Sequence, residues 1–193
     1  MTGFDLAYKG APPPWDIGRP QPAFERLAAQ GAIAGPVLDA GCGTGENALL
    51  LAGLGFEVIG LDTAPTAIAA ARVKATQRGL DVAFVEGDAL ALSTLGRTFV
   101  TVIDCGLFHV FGDADRARYV AGLAAAVEAG GRVHILCFSD RQPGISGPRR
   151  VPEAELRAAF ADGWLVEAIE PERFETNDEG PSVQAWLATM IRL

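Results

Sequence analysis

At 193 residues, with 24 acidic against 16 basic side chains and a formal net charge of −8, the chain fits one domain and is too short for a cofactor domain plus a separate substrate domain. An acid excess without clustered Lys and Arg excludes DNA, transfer RNA and the ribosome as expected partners, because phosphates demand neutralising cations. No apolar run reaches membrane-spanning length and the opening MTGFDLAYKGAPPPW lacks the basic and apolar parts of a secretory signal, so a cytoplasmic protein is expected.

Up to about Pro20 the chain is proline-rich and irregular around Trp15, a side chain costly to leave in water and expected to dock on a site. Pro22 to Gln30 has helix-forming composition, with Pro in the first turn and Gly31 as a stop. From Pro36 onward, strand and helix patterns alternate, which predicts a parallel sheet with helices on both faces. The run VLDAGCGTGEN, Val37 to Asn47, carries the most information. It reads as a strand ending at Asp39, a turn with Gly41, Gly43 and Gly45, and then a helix over Ala48 to Leu54. Glycine supplies positive φ and lets a bound molecule lie against the main chain, so this loop seats a ligand, nucleotide-like by default. A dinucleotide fingerprint wants a small residue where Glu46 stands. A carboxylate at a helix N-terminus repels phosphate and suits a cation, which points to S-adenosylmethionine, a sulfonium and ammonium ligand without phosphate.

Further strands end in acids in the same way. Glu57 to Asp62 leads into a helix over Ala64 to Arg78, Val82 to Ala89 contains Asp88, and Phe99 to Asp104 follows. Asp62 can accept from both ribose hydroxyls, and Asp88 from an adenine amino group. Asp113 to Ala129 is predicted as an amphipathic helix capped by Asp113 and stopped by Gly130, with Arg132 to Phe138 as the next strand. Ser139 to Arg150, rich in Pro and Gly, is long enough for a functional lid. A helix over Pro152 to Ala161, a strand over Trp164 to Ile169, the polar turn TNDEGPS and a strand over Val183 to Leu193 complete the chain. Cys42, Cys105 and Cys137 lack zinc-type spacing and are odd in number, so neither a metal site nor a disulfide framework is expected. Buried small apolar side chains are the simpler reading, with a thiol cluster near the site as the alternative.

In these features the chain resembles, over nearly all its length, the class I S-adenosylmethionine-dependent methyltransferases. Asp39, Gly41 and Gly43 match the glycine-loop motif, Asp62 the ribose acid and Asp88 the adenine acid. Asp104 and Cys105 match the segment near the methionine end, and the resemblance places Cys42, Thr63 and Ala89 beside the cofactor as well. Three more stretches, PPWDIGRPQPAF, DCGLFHVF and LCFSDRQPGISGPRRV, are similar to the thiopurine and halide/thiol group, most nearly the bacterial heterocyclic-toxin methyltransferases. That resemblance implies a single domain over 1–193, Rossmann-like, with a seven-stranded sheet in the order 3-2-1-4-5-7-6 and strand seven antiparallel. It also implies that residues 1–20, through Trp15 and Asp16, close over S-adenosyl-L-methionine. The expected partner is a small acceptor methylated on O, N or S, in a detoxifying role, by a monomer or homodimer.

Methyl transfer is an in-line displacement at an activated carbon, so the protein chiefly aligns the reactants and excludes water. A base helps where the acceptor carries a proton. His109, a few residues past the Phe99–Asp104 strand, is the candidate, with positioning or packing as its other readings. His134, inside a strand, reads as structural. Phe108, Phe111, Phe138 and Ile145 are candidates to line a flat acceptor pocket, Phe138 with core packing as the stronger alternative. Arg149 and Arg150 are candidates to orient an anionic oxygen, against a reading as solvated loop residues. A non-catalytic S-adenosylmethionine-binding sensor or regulatory partner is the alternative to an enzyme; Glu46 and the missing second domain count against a nicotinamide-dependent oxidoreductase.

Overall fold

A computed structural model describes residues 3–145, 147–178 and 182–193. Met1, Thr2, Ser146 of the expected lid and 179–181 of the expected polar turn lie outside the described residues. Strands β1 (Val37–Ala40), β2 (Val58–Asp62), β3 (Ala83–Glu86), β4 (Phe99–Cys105), β5 (Val127–Phe138), β6 (Trp164–Phe174) and β7 (Val183–Arg192) form a single sheet. Its order is β3-β2-β1-β4-β5-β7-β6. β7 runs antiparallel to both its neighbours while β1 to β5 pair in parallel. This is the Rossmann-like arrangement that the resemblance implies.

Successive residues of a strand face opposite sides of the sheet, and the helices bury one apolar set each. Helices α2 (Pro22–Ala29), α3 (Glu46–Gly53) and α4 (Pro65–Arg78) cover one face, where Phe24, Leu49, Ile68 and Phe84 pack with Val37, Ile103 and Leu136. On the other face α5 (Asp113–Ala126) and α6 (Glu153–Ala159) bring Tyr119, Leu123 and Leu156 against Leu38, Val102 and Ile135. Both faces being covered, β1, β4 and the second half of β5 are buried almost throughout, which is what parallel sheets require.

The elements depart from the sequence expectations at several places. α5 stops at Ala126 and begins one residue after Gly112, so Asp113 is its first residue rather than its cap. Val127, β-branched, pairs with Phe99 at the start of β5, and the chain then bulges before Arg132 meets Thr101. Gly130, expected to end the helix, instead supplies a φ of 80° in that bulge. β6 runs past Ile169 through Pro171 to Phe174. It is an edge strand, where a missing N–H costs no ladder bond on the open side. A five-residue helix α1 (Gly3–Ala7) lies in the segment read as irregular. No helix of the described residues is long and apolar enough to cross a membrane.

Candidate active site

The carboxyl ends of β1, β2, β3, β4 and β5 open on a cavity of 470 Å³. Its floor is the loop after β1, where Gly41, Gly43 and Gly45 hold φ of 73°, 53° and 85°, a region that L side chains avoid. A Cβ on Gly43 would come within 2.8 Å of the Tyr8 hydroxyl. The bare main chain is therefore both a conformational and a spatial requirement.

Strand-end acids hold this loop in shape. Asp39 Oδ2 accepts the Ala48 N–H at 3.1 Å, capping α3, whose own N-cap, Gly45, has no side chain to offer. Asp62 uses Oδ2 for the Gly43 N–H (2.9 Å) and Oδ1 for the Ala64 N–H (2.8 Å). Burial nevertheless holds its carboxyl above the ordinary aspartate value. Asp62, Thr63, Asp88 and Ala89 line the cavity together with Gly41, Cys42, Gly43 and Cys105. Asp88 caps the turn that follows β3 by accepting the Leu90 N–H at 2.8 Å.

Two of the strand-end acids do not reach the cavity surface. Asp39 is fully buried as the cap just described, with Oδ1 lacking any partner among the described residues. Asp104 is also fully buried. Its Oδ1 accepts the Leu107 N–H at 2.8 Å and its Oδ2 the Tyr119 hydroxyl at 2.9 Å, so it builds the turn after β4 rather than facing a ligand. Burial raises both carboxyls, Asp104 to about 7 and Asp39 to about 8.

Glu46 departs from its expected role too. Lys74 meets it at 2.8 Å and Arg78 grips both its oxygens at 2.9 and 3.0 Å. Those two cations spend its charge on tying α3 to α4 instead of on a ligand.

The N-terminal segment forms one wall of the cavity through Phe4, Tyr8, Pro14, Trp15 and Asp16. Trp15 Nε1 donates to the Tyr8 hydroxyl at 2.9 Å, and the Phe4 and Tyr8 rings meet Trp15 edge-on. Asp16 Oδ1 accepts from Thr44 Oγ1 at 2.9 Å, and Lys74 Nζ donates to that same hydroxyl at 2.7 Å. Further out, Asp5 Oδ1 accepts the Thr66 N–H at 3.0 Å. Ala64, the N-cap of α4, has no capping side chain, so a residue 61 positions away supplies the cap. The Thr66 N–H and the Lys9 ammonium, 3.0 Å away, hold the Asp5 carboxyl down at about 2. The far end of the segment is pinned by Asn177, whose N–H donates to the Pro14 carbonyl at 2.7 Å, and by the Arg19–Glu175 ion pair.

Opposite lies an aromatic corner. His109, only 4% exposed, sits in a short turn (Phe108–Val110) and lines the cavity. Its ring meets Phe138 at 4.8 Å and Phe174 at 6.2 Å between centroids. Nδ1 accepts the Phe138 N–H at 3.0 Å. Burial first, then the Arg149 and Arg150 charges, push its pKa down to about 3. A ring that resists protonation and has one nitrogen taken by a backbone donor is a poor proton acceptor, which favours the positioning reading over the base.

Phe108 is corrected as well. It points into the core, fully buried and stacked on Phe160 with centroids 6.1 Å apart, because one turn of tight helix sends it and His109 to different sides. Phe111 and Phe138 do line the cavity; Ile145 is 99% exposed and does not. Arg149 is turned outward into a double contact with Glu155, one arm at 2.6 Å, whereas Arg150 lines the cavity and lies 5.4 Å over the Phe138 ring.

Several lining residues were not singled out in the sequence: Phe4, Tyr8, Phe174, Gln142 and Asp178. For Phe4 and Tyr8 a signal existed, aromatic rings near Trp15 in an otherwise small and polar stretch. Phe174 was hidden by Pro171, which argues against a continuing strand. His134 bridges Thr189 Oγ1 at 3.0 Å and the Ala32 carbonyl at 3.3 Å, away from the cavity. Among the described residues no group of three or more metal-type side chains converges.

A model of the methyltransferase domain matches residues 37–131. The 2-heptyl-1-hydroxyquinolin-4(1H)-one methyltransferase of Mycobacteroides abscessus is 39% identical over 187 residues, covering 92% of this chain and 82% of that protein. A ubiquinone biosynthesis O-methyltransferase of Cereibacter sphaeroides is 36% identical over 166 residues, 85% of this chain and 60% of that one. Among solved structures, one concerned with converting a disulfide bond into a thioacetal group during echinomycin biosynthesis is 42% identical, with a TM-score of 0.90 over 98% of this chain and 91% of that one.

Proposed function

This chain belongs to the S-adenosylmethionine-dependent methyltransferases, and we propose that it methylates a flat, acidic heteroaromatic small molecule carrying a hydroxyl or thiol. The observation that carries the proposal is the shape of the acceptor side. Phe111, Phe138 and Phe174 line that part of the cavity, the His109 ring packs against the last two, and Gln142 and Arg150 add a few polar atoms. Flat rings stack on such walls while a few polar groups fix their orientation. The hydroxyquinolone for which the Mycobacteroides relative is named has that shape.

The residues present fit the cofactor. Bare peptide at Gly41 and Gly43 allows close approach of the methionine end, and Asp62, on the cavity wall, supports the reading of an acceptor for the ribose hydroxyls. Asp88, also on the wall, supports the reading of an acceptor for the adenine amino group. Asp16, Asp62, Asp88 and Asp178 outnumber Arg19 and Arg150 on the cavity wall, an excess of negative charge that suits a cationic ligand. When bound, S-adenosylmethionine supplies an electrophilic methyl group. The protein's part is to order the acceptor and keep water out, and residues 1–20, through Tyr8, Trp15 and Asp16, close over the cofactor.

Calorimetry with S-adenosylmethionine, followed by measurement of S-adenosylhomocysteine release on a panel of hydroxyquinolines, mercaptoheterocycles and aliphatic alcohols, tests this reading. Release with the first two classes and none with the alcohols is expected. Cofactor binding without release from any of them would leave a sensor.

A further inference from the structure

The hydrogen bond that His109 makes among the described residues fixes what the ring offers to the cavity. A main-chain N–H only donates, so the Phe138 N–H, 3.0 Å from Nδ1, requires a lone pair on that nitrogen. A neutral imidazole held in this way carries its hydrogen on Nε2. A half-turn of the ring would put Cδ2 in place of Nδ1 and lose the Phe138 bond. Gly106, at a φ of 81°, leaves the room that the ring occupies: a Cβ there would lie 3.4 Å from His109 Cε1 and 3.2 Å from the Phe174 ring.

Protonating the ring would set a second N–H against the Phe138 N–H. Arg149 and Arg150, on the loop after β5, are the charged groups that bear on it; Phe138 and Phe174 face it as rings and β4 contributes the Cys105 thiol to the same cavity. Both arginines oppose a further positive charge. The ring therefore remains a neutral donor.

We infer that His109 selects acceptors that arrive as anions, its Nε2–H donating to a negatively charged oxygen or sulfur whose proton has already gone to solvent. This rests on the proposed acceptor class and narrows it. An oxyanion or thiolate has several lone pairs, so one can accept from Nε2–H while another stays free to attack. A neutral aromatic amine has one lone pair, and the same hydrogen bond would occupy it. The site thus favours O and S over N, and acidic over non-acidic hydroxyls. No proton passes to the protein: the O–H or S–H electrons stay on the acceptor and the proton leaves with water.

Nitrogen-15 NMR of the free protein across about pH 5 to 8 tests the ring state directly. A His109 signal with Nε2 protonated, Nδ1 unprotonated and no titration is expected; the opposite tautomer, or titration in that range, overturns the inference. On the protein loaded with S-adenosylhomocysteine, binding of 4-nitrophenol is then followed by the separate absorbance of its phenolate. Bound ligand should be phenolate even about one pH unit below its solution pKa, and bound neutral phenol would sink the idea.

His109→Gln keeps a donor but cannot take a proton, whereas His109→Phe keeps neither. Transfer to 6-hydroxyquinoline should fall less than about threefold in the first and more than about tenfold in the second, with no transfer to 6-aminoquinoline by the parent protein. Equal loss in both variants, with melting curves like the parent, would restore a base. If no hydroxyheteroaromatic binds at all, the proposed acceptor class fails, and the NMR result still decides the ring.

Discussion

At the β1–β2–β3 end of the cavity the sheet's own contribution is main chain and carboxylate, from residues that lie within a few positions of a strand end. At the β4–β5 end it is aromatic rings that meet from far apart in the chain: His109 from the turn after β4, Phe138 from β5 and Phe174 from β6. The first end is organised by hydrogen bonds that any strand-loop-helix unit can make. The second depends on which way each side chain turns once the sheet is assembled. Changes at the first should therefore act on cofactor affinity whatever the acceptor, and changes at the second on acceptor choice with the cofactor held as before.

The largest expected effect that sharpens this contrast is at Asp62, the carboxylate that carries the Gly43 and Ala64 N–H groups. Asp62→Ala removes a charged acceptor from both the loop and the ribose position, and should weaken S-adenosylmethionine binding by roughly 1.5–3 kcal/mol. Calorimetry gives the dissociation constant, and the loss should be identical with hydroxyl and thiol acceptors present. An unchanged constant would take Asp62 off the ribose; a loss that differed between acceptors would break the division of the cavity into two ends.

The same division governs what could be read from the chain. Gly41, Gly43, Asp62 and Asp88 were legible because their spacing from a strand end is itself the structural cause of their position. The strand order came from family likeness, since hydrophobic periodicity says nothing about which strands become neighbours. Asp39 and Asp104 were legible as strand-end acids but not as interior caps, a role set by the partners each meets, the Ala48 N–H for Asp39 and the Leu107 N–H and Tyr119 hydroxyl for Asp104. Phe108 and Phe111 flank His109 in the sequence, yet a tight turn buries the first against Phe160 and leaves the second on the cavity. Arg149 and Arg150 are adjacent and identical in type; Glu155 takes the first, and the Gln142 and Pro148 carbonyls and the Phe138 ring hold the second. Local pattern does not encode such choices.

A smaller effect follows from Asp5, which joins the N-terminal wall to α4. Its folded pKa of about 2 lies below the ordinary 3.8, so the ionised form stabilises the docked segment. That contribution is complete above about pH 4 and disappears as pH falls toward the folded value. Asp104, raised to about 7 by burial, acts with the opposite sign: its cost to the fold grows as pH rises from the ordinary aspartate value through 7 and is absent in acid. Acid should thus loosen the strap before the sheet. Hydrogen exchange at the Thr66 amide reports it, and Asp5→Ala should expose that amide at neutral pH while leaving the β4 amides protected. Simultaneous loss at both would mean that the strap has no independent opening.

The smallest effect separates two neighbouring cations on the acceptor side. Arg149 is committed to Glu155, which also takes Arg116 at 3.1 Å, and it faces outward. Arg149→Ala should change turnover of a hydroxyquinoline by less than about twofold and stability by at most about 0.5–1 kcal/mol, the range of exposed ion pairs. Arg150 lines the cavity, its guanidinium donating to the Gln142 and Pro148 carbonyls while lying over Phe138. Arg150→Ala should disorder that wall, raising KM for the acceptor several-fold more than Arg149→Ala does, without weakening S-adenosylmethionine binding. Both variants lose one positive charge near His109, so a general field effect would give equal changes. Only the direction in which each guanidinium points predicts unequal ones, and a larger loss in Arg149→Ala would place the wrong arginine on the cavity.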